Sequence, residues 1–377
     1  PESFTTVATF NSCTIGGKQS VQLQGDGVLT FQNCSLNGTL TAERGQVTAL
    51  NSSFAAAGRH IVLGSSVGRA RILGNTFEGR PRIENQAQAA DIGISHAPLA
   101  KVKPDLTPYV SAPVRTPPKR ALFVVTDFGA DGKAADNTPA FAKALTAARE
   151  AGGGTVYVPA GLYRFQGQLR IPTGVELRGC FDVPHHTISA GSVLMSTAGR
   201  GQEGGTPFVQ LERRSGLRGL TFWYPEQSLD APVPYPWTVR GLGPGCWLED
   251  VTLGNSWQGV DFWTHDSTGH LVRYLAGCCL KRGLWVSKSA GTGWVEDLQF
   301  NPHYALRLPK GLPHPPMTGR TGGVLIDFLR QNLEGMVFGD CEDERIFATF
   351  LYAAYDGIAF RDDLGGTNSR ILIHGTD

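Results

Sequence analysis

Carboxylates set among aromatic side chains are the residues of this chain best suited to chemistry. Glu226 and Asp230 lie between Trp223-Tyr224-Pro225 and Pro234-Tyr235-Pro236-Trp237, and Asp261 and Asp266 flank Phe262-Trp263-Thr264-His265. Cleaving a glycosidic bond takes one carboxyl that is protonated and another that is charged. Aromatic surroundings favour the protonated form, because burial raises a carboxyl pKa. A sugar ring presents apolar C–H faces inside a rim of hydroxyls, so its site calls for rigid aromatic platforms beside amides, carboxylates and imidazoles. The first segment supplies Tyr224, Gln227 and Trp237, and the second supplies Trp263 and His265. A third, from Asn301-Pro302-His303-Tyr304 to His314-Pro315-Pro316, supplies His303 and Tyr304. Glu226 is the expected acid and Asp261 the expected base or nucleophile, with Asp266 as the further catalytic candidate. The loop 223–240 and the segment 261–266 are expected to line one groove.

Other acids read as structural. Glu249-Asp250 and Glu296-Asp297 precede strands at equivalent positions, as turn or ladder residues do. The run Asp340-Cys341-Glu342-Asp343-Glu344 reads as a solvated turn in preference to a calcium site. The seven cysteines show no metal-ligand spacing, and Cys13 and Cys34 read as stacked free thiols in preference to a disulfide. No G-x-S-x-G, H-E-x-x-H or P-loop pattern is present, and no metal or cofactor is expected.

These side chains need a scaffold, and its period is visible near the start of the chain. Ala8-x-Phe10, Leu29-x-Phe31, Val47-x-Ala49 and Ala70-x-Ile72 each place two apolar residues two apart, with Ile15, Leu36, Phe54 and Phe77 five residues further on. A step of two is a strand facing inward, and units of about twenty residues bury their apolar faces only by stacking. The pattern predicts a β-solenoid. Leu220-x-Phe222, Val251-x-Leu253 and Leu298-x-Phe300 repeat the inward pair, Leu271 to Leu275 fits another rung, and Val324 to Phe328 and Arg370 to Ile373 fit further ones. With 48 Gly and 23 Pro against 18% charged residues, the composition is turn-rich, and 377 residues suffice for two domains. A net charge of +1 argues against a nucleic-acid or membrane surface driven by basic residues, and no apolar run is long enough to span a bilayer.

Residues 96–120 carry Pro98, Pro104, Pro108, Pro113, Pro117 and Pro118, so they are expected to run extended over a surface as a linker between coils at 1–95 and 121–377. Beyond residue 120 the chain looks like a new beginning. Phe123-Val124-Val125 and Asp127-Phe128-Gly129-Ala130-Asp131-Gly132 lead into Asp136-Asn137-Thr138-Pro139, a helix start. Phe141, Ala144, Leu145 and Ala148 form the apolar stripe of a helix near 138–150 that ends at Gly152-Gly153-Gly154. These motifs, with GGGTVYVPAGLYRF and IPTGVELRG, resemble the opening of the pectate-lyase-like right-handed parallel β-helix superfamily. Two such helices joined by a proline-rich linker are similar to the tandem glycoside hydrolases of family 55, exo-acting β-1,3-glucanases. The first coils lack that opening motif, and no catalytic residue of the family is carried over.

The expected fold is therefore all-β, a right-handed parallel β-helix in two tandem segments with a short capping α-helix. The expected function is glycoside hydrolysis of a polysaccharide, with a β-glucan implied by the resemblance alone, in a secreted, periplasmic or cell-surface setting. The alternatives are a polysaccharide lyase, for which Arg240, Arg273, Lys281 and Arg282 are the available cations, and a non-catalytic adhesin or tailspike shaft. The expected partner is a polysaccharide or oligosaccharide, with further chain segments or a second polypeptide completing the ends of the stack.

Overall fold

The computed structural model describes residues 4–16, 21–88, 91–97, 111–181, 186–188, 190–363 and 366–377. With 47% strand against 9% helix, the chain is of the all-β class. It divides into two compact units, Pro1–Pro108 and Tyr109–Asp377. Of the proline-rich stretch, residues 98–110 lie outside the described residues.

In the first unit the repeat in the sequence becomes a repeat in space. Strands Val7–Asn11, Val28–Gln32, Leu40–Leu50 and Ile61–Leu73 pair in parallel one after another. Ala8 faces Leu29, Val47 and Ala70 in turn, and Phe10 faces Phe31, Ala49 and Ile72. A second, four-stranded sheet aligns Ile15, Leu36, Phe54 and Phe77. Aromatic rings stack along these columns, Phe10 on Phe31 at 5.1 Å and Phe54 on Phe77 at 5.4 Å. Between the two sheets the chain turns through left-handed backbone at Ser12, Asn33, Asn51 and Gly74. Asn and Gly suit that conformation, because a short polar side chain or none tolerates positive φ. Cys13 and Cys34 are free thiols.

The second unit opens with a helix, α1 (Thr138–Glu150), whose buried residues Phe141, Ala144, Leu145 and Ala148 pack on the first strands. Phe141 meets Phe165 edge-on at 4.8 Å. Among the described residues every strand pair is parallel, and three pairing series define three faces. Face A stacks Val156, Leu177, Leu217, Leu248, Val272, Val295 and Ile346 inward. Face B stacks Leu194, Phe222, Leu253, Gly277 and Phe300. Face C stacks Val209, Val239, Val260, Leu284, Met336 and Ile358.

Two expectations are corrected. Val324 to Phe328 is not a rung but lies in helix α2 (Thr321–Asn332), because Leu325 and Leu329, one helical turn apart, are the buried pair while Val324 is exposed. The acidic run at 340–344 is not a turn but opens the strand Cys341–Leu351. The strand parts its acids: Glu342 meets Arg370 at 3.2 Å, Asp343 accepts from Thr292 at 2.7 Å, and Glu344 lies in the core 3.3 Å from His270. No metal-ligating cluster forms among the described residues.

Candidate active site

At the corner between faces A and B, successive coils of the second unit pass through left-handed backbone at Gly219, Asp250, Tyr274, Asp297 and Ala348. The pairing of Glu249 with Arg273 and of Arg273 with Glu296 puts Asp250, Tyr274 and Asp297 in one column. Asp250 and Asp297 are thus two strand spacings apart, about 9.6 Å. Neither carboxylate has a hydrogen-bond partner among the described residues, whereas Asn33, in the corresponding corner of the first unit, donates its side-chain amide to Asn11. Burial raises the pKa of Asp250, and Glu249 adds to the shift against Arg218, Arg273 and Arg178. Asp297 is raised in the same way, by burial and by Glu296 against Arg273.

Aromatic and imidazole rings continue from this column onto face B. Phe181, exposed, meets Tyr274 edge-on at 5.6 Å. Burial pushes the Tyr304 hydroxyl up to about 12, with Tyr274 adding to the shift. The Tyr304 hydroxyl donates to Gln299 at 3.0 Å, and the Gln299 amide lies 2.8 Å from Nε2 of His186. The His186 and His303 rings are 5.5 Å apart. Burial, then Arg307, lowers the pKa of His303, and its Nδ1 is buried without a partner. A neutral imidazole and two carboxyls of raised pKa can hold, donate and accept protons here, while the buried Tyr304 holds Gln299 against His186.

The remaining residues expected from sequence fall into separate places. Trp237, Asp261 and Trp263 come together on face C around Trp285, whose ring lies 6.1 Å from Trp237 and 5.4 Å from Trp263. The guanidinium of Arg282 sits 4.9 Å over the same ring, and Arg361, paired with Glu334, sits at 5.8 Å. Asp261 is buried there and fully engaged: Arg240 pairs with it, and the Trp263 N–H, Thr264 N–H and Thr264 hydroxyl all donate to it. That arrangement pins the turn carrying Trp263 and leaves the carboxylate little room for a reacting atom.

Tyr224 is buried against Tyr235 and its hydroxyl is 3.0 Å from that of Thr238, so it offers no face to a sugar. Gln227 is buried as well, clamping the main chain of Val233 through both ends of its amide. The loop closes on its own aromatics, held by the Gln227 clamp on Val233 and the Tyr224–Tyr235 contact, and Glu226 is left exposed, 3.8 Å from Arg200. Asp266 accepts from the Thr268 N–H and lines a cleft of about 560 Å³ with Asp340 and Glu342, beside an exposed His265. The sequence carries a trace of the corner site, the doublets Glu249-Asp250 and Glu296-Asp297 before equivalent strands, but nothing in it separates a turn aspartate from an acid.

Residues 122–197 match the family model described as rhamnogalacturonase A/epimerase, pectate lyase-like. The likeness is to the pectate-lyase-like superfamily. Two relatives from Azotobacter vinelandii match by sequence. Mannuronan C5-epimerase AlgE1 is 44% identical over 78 residues, 20% of this chain and 5% of that protein. Mannuronan C5-epimerase AlgE3 is 59% identical over 60 residues, 16% of this chain and 3% of that protein. The chain therefore covers only a small fraction of either epimerase's length. The crystal structure of a candidate glycosyl hydrolase from Parabacteroides merdae aligns with 68% of this chain and 95% of its own, at a TM-score of 0.38 and 13% identity.

Proposed function

We propose that this chain is a carbohydrate-active enzyme that hydrolyses a polysaccharide at the corner between faces A and B. The observation that carries this reading is the pair Asp250 and Asp297, unbonded, raised in pKa and two coils apart on one column. On this reading both units are right-handed parallel β-helices, as the parallel pairing and the usual hand of such crossovers support. Asp250, the less exposed of the two, donates its proton to the glycosidic oxygen as the bond to the anomeric carbon breaks. Asp297 takes a proton from the water that attacks that carbon from the other side. Their backbones lie two strand spacings, about 9.6 Å, apart, a spacing closer to the wide carboxyl separation of inverting enzymes, which leaves room for this water, than to the about 5–5.5 Å of retaining ones. Phe181 and Tyr274 supply the platform for a sugar face beside the two carboxyls.

The test is a panel of neutral and acidic polysaccharides, with reducing ends counted and the anomer of the first product read by NMR. Inverted product supports the reading. Retained product, or no new reducing ends on any substrate, overturns it. A second reading, removal of the C5 proton of a uronate, is favoured by the neutral His303 and its unpartnered Nδ1. It predicts either an unsaturated product with ultraviolet absorbance or epimerised residues without chain cleavage.

A further inference from the structure

Face A carries an alternating ladder of buried charge on its outer side. Arg218 bridges Glu176 at 2.7 Å and Glu249 at 2.6 Å, and Arg273 bridges Glu249 at 3.6 Å and Glu296 at 2.7 Å. The segment 111–116 lies across it, and the bonds between them go chiefly to main chain. The Ala112 N–H donates to Glu296 at 2.7 Å, and Arg273 donates to the Ala112 carbonyl. Three residues on, the Arg115 N–H donates to Glu249 at 3.3 Å, and Arg218 donates to the Arg115 carbonyl at 2.7 Å. The same pair of bonds thus recurs at i and i+3, on Glu–Arg pairs two strands apart.

That recurrence has a metric reason. Three residues of a polyproline II helix rise about 9.3 Å. Two strand spacings in the stack are about 9.6 Å. A proline-rich chain laid across the coils therefore stays in register with every second rung, and its repeating N–H and C=O groups meet alternating acid and base. The ladder also has one size-selective notch. Ala112 is buried in a cluster with Trp247 and Leu271, and Trp294 packs against that cluster, so only a small side chain fits. Val114, by contrast, is exposed.

We propose that the face-A ladder is a docking surface for an extended, proline-containing segment, read through its main chain every third residue, with one notch for a small residue. Its occupant is the chain's own segment 111–116. Side chains between the read positions are free to vary, whereas the N–H groups at 112 and 115 are not.

Amide exchange on the intact protein tests this at single-residue resolution. The amides of Ala112 and Arg115 should exchange at least about tenfold more slowly than those of Val114 and Thr116. Uniformly fast exchange, or protection that departs from the three-residue repeat, overturns the proposal. A second arm uses trypsin, which cuts after Arg115. Ala112→Pro removes the N–H that Glu296 accepts but also enlarges the side chain in the notch, so Ala112→Val, which enlarges it and keeps the N–H, is run beside it; cleavage of Ala112→Pro should be at least about tenfold faster than that of the parent and of Ala112→Val. Val114→Ser should leave the rate unchanged. If Ala112→Pro is cut at the parent rate, or Ala112→Val or Val114→Ser is cut as fast as Ala112→Pro, main-chain reading is refuted.

Discussion

Replacing Asp250 with Asn separates the chemical role of the corner from its structural one. An amide has the same size, and Asn33 and Asn51 already hold the corresponding corner of the first unit at φ 55° and 48°, so the backbone accepts the change. What the amide lacks is a proton to give. General acid catalysis contributes about 10²–10⁴-fold, so turnover should fall by at least about 100-fold. That loss corresponds to about 2.7 kcal/mol of transition-state stabilisation. Stability should move the other way. Burial and Glu249 hold the folded pKa of Asp250 above the ordinary value. The stability linked to its proton is complete below the unfolded value, about 3.9, and is lost as the pH rises through the higher folded value. At neutral pH the ionised carboxylate therefore destabilises the fold, and Asp250→Asn should melt above the parent there and converge with it in acid. Reducing-sugar release and calorimetry across a pH series read both effects. Parent-like turnover refutes the assignment of the acid, and a lower melting temperature at neutral pH refutes the linkage argument. Glu226→Gln, run beside it, should keep turnover within about threefold, since an exposed, loosely paired charge contributes little.

Arg218→Met should destabilise the second unit by about 3–5 kcal/mol in denaturant titration, because it leaves the buried carboxylate of Glu176 without its ion pair and Glu249 with Arg273 alone, at 3.6 Å; a loss under about 1 kcal/mol would show that the ladder is not load-sharing. Gly277→Ala should cost about 3 kcal/mol or more, since its φ is 146° and a methyl would lie 2.0 Å from the Leu253 carbonyl oxygen, and an unchanged melting curve would contradict this. Burial and Arg115 push the pKa of His270 down, but Glu344 and the Ser267 carbonyl raise it further, so the net shift is upward. Its contribution is complete below about pH 6.5 and lost as the pH rises through the folded pKa, so parent stability should decline over that range and His270→Gln should flatten the decline.

The in-register parallel strands of the first unit were legible in the sequence because their cause is local. A strand turns one side chain in two inward, and stacking forces each inward residue onto its counterpart one coil away, so Phe10, Phe31, Ala49 and Ile72 align in the chain as they do in space. The opening helix was legible for the same reason, its capping residues and its stripe all lying between Asp136 and Ala148. At Val324 to Phe328 a two-residue period and a helical period coexisted, and only packing on Leu325 and Leu329 chose between them. The sites depended on residues far apart in the chain. Tyr224 and Trp237 belong to one loop in the sequence, yet the first turned inward to Tyr235 while the second joined Trp285 from two coils later. Asp250 reads as a turn residue from its neighbours in sequence, and burial together with Arg178, Arg218 and Arg273 from three other strands sets its acidity. Ala112 and Glu296 are 184 residues apart and share one hydrogen bond. Side-chain period arises from backbone geometry within a few residues, whereas desolvation and charge act through space, so the chain alone specified the coils and tertiary structure decided where a proton could be held.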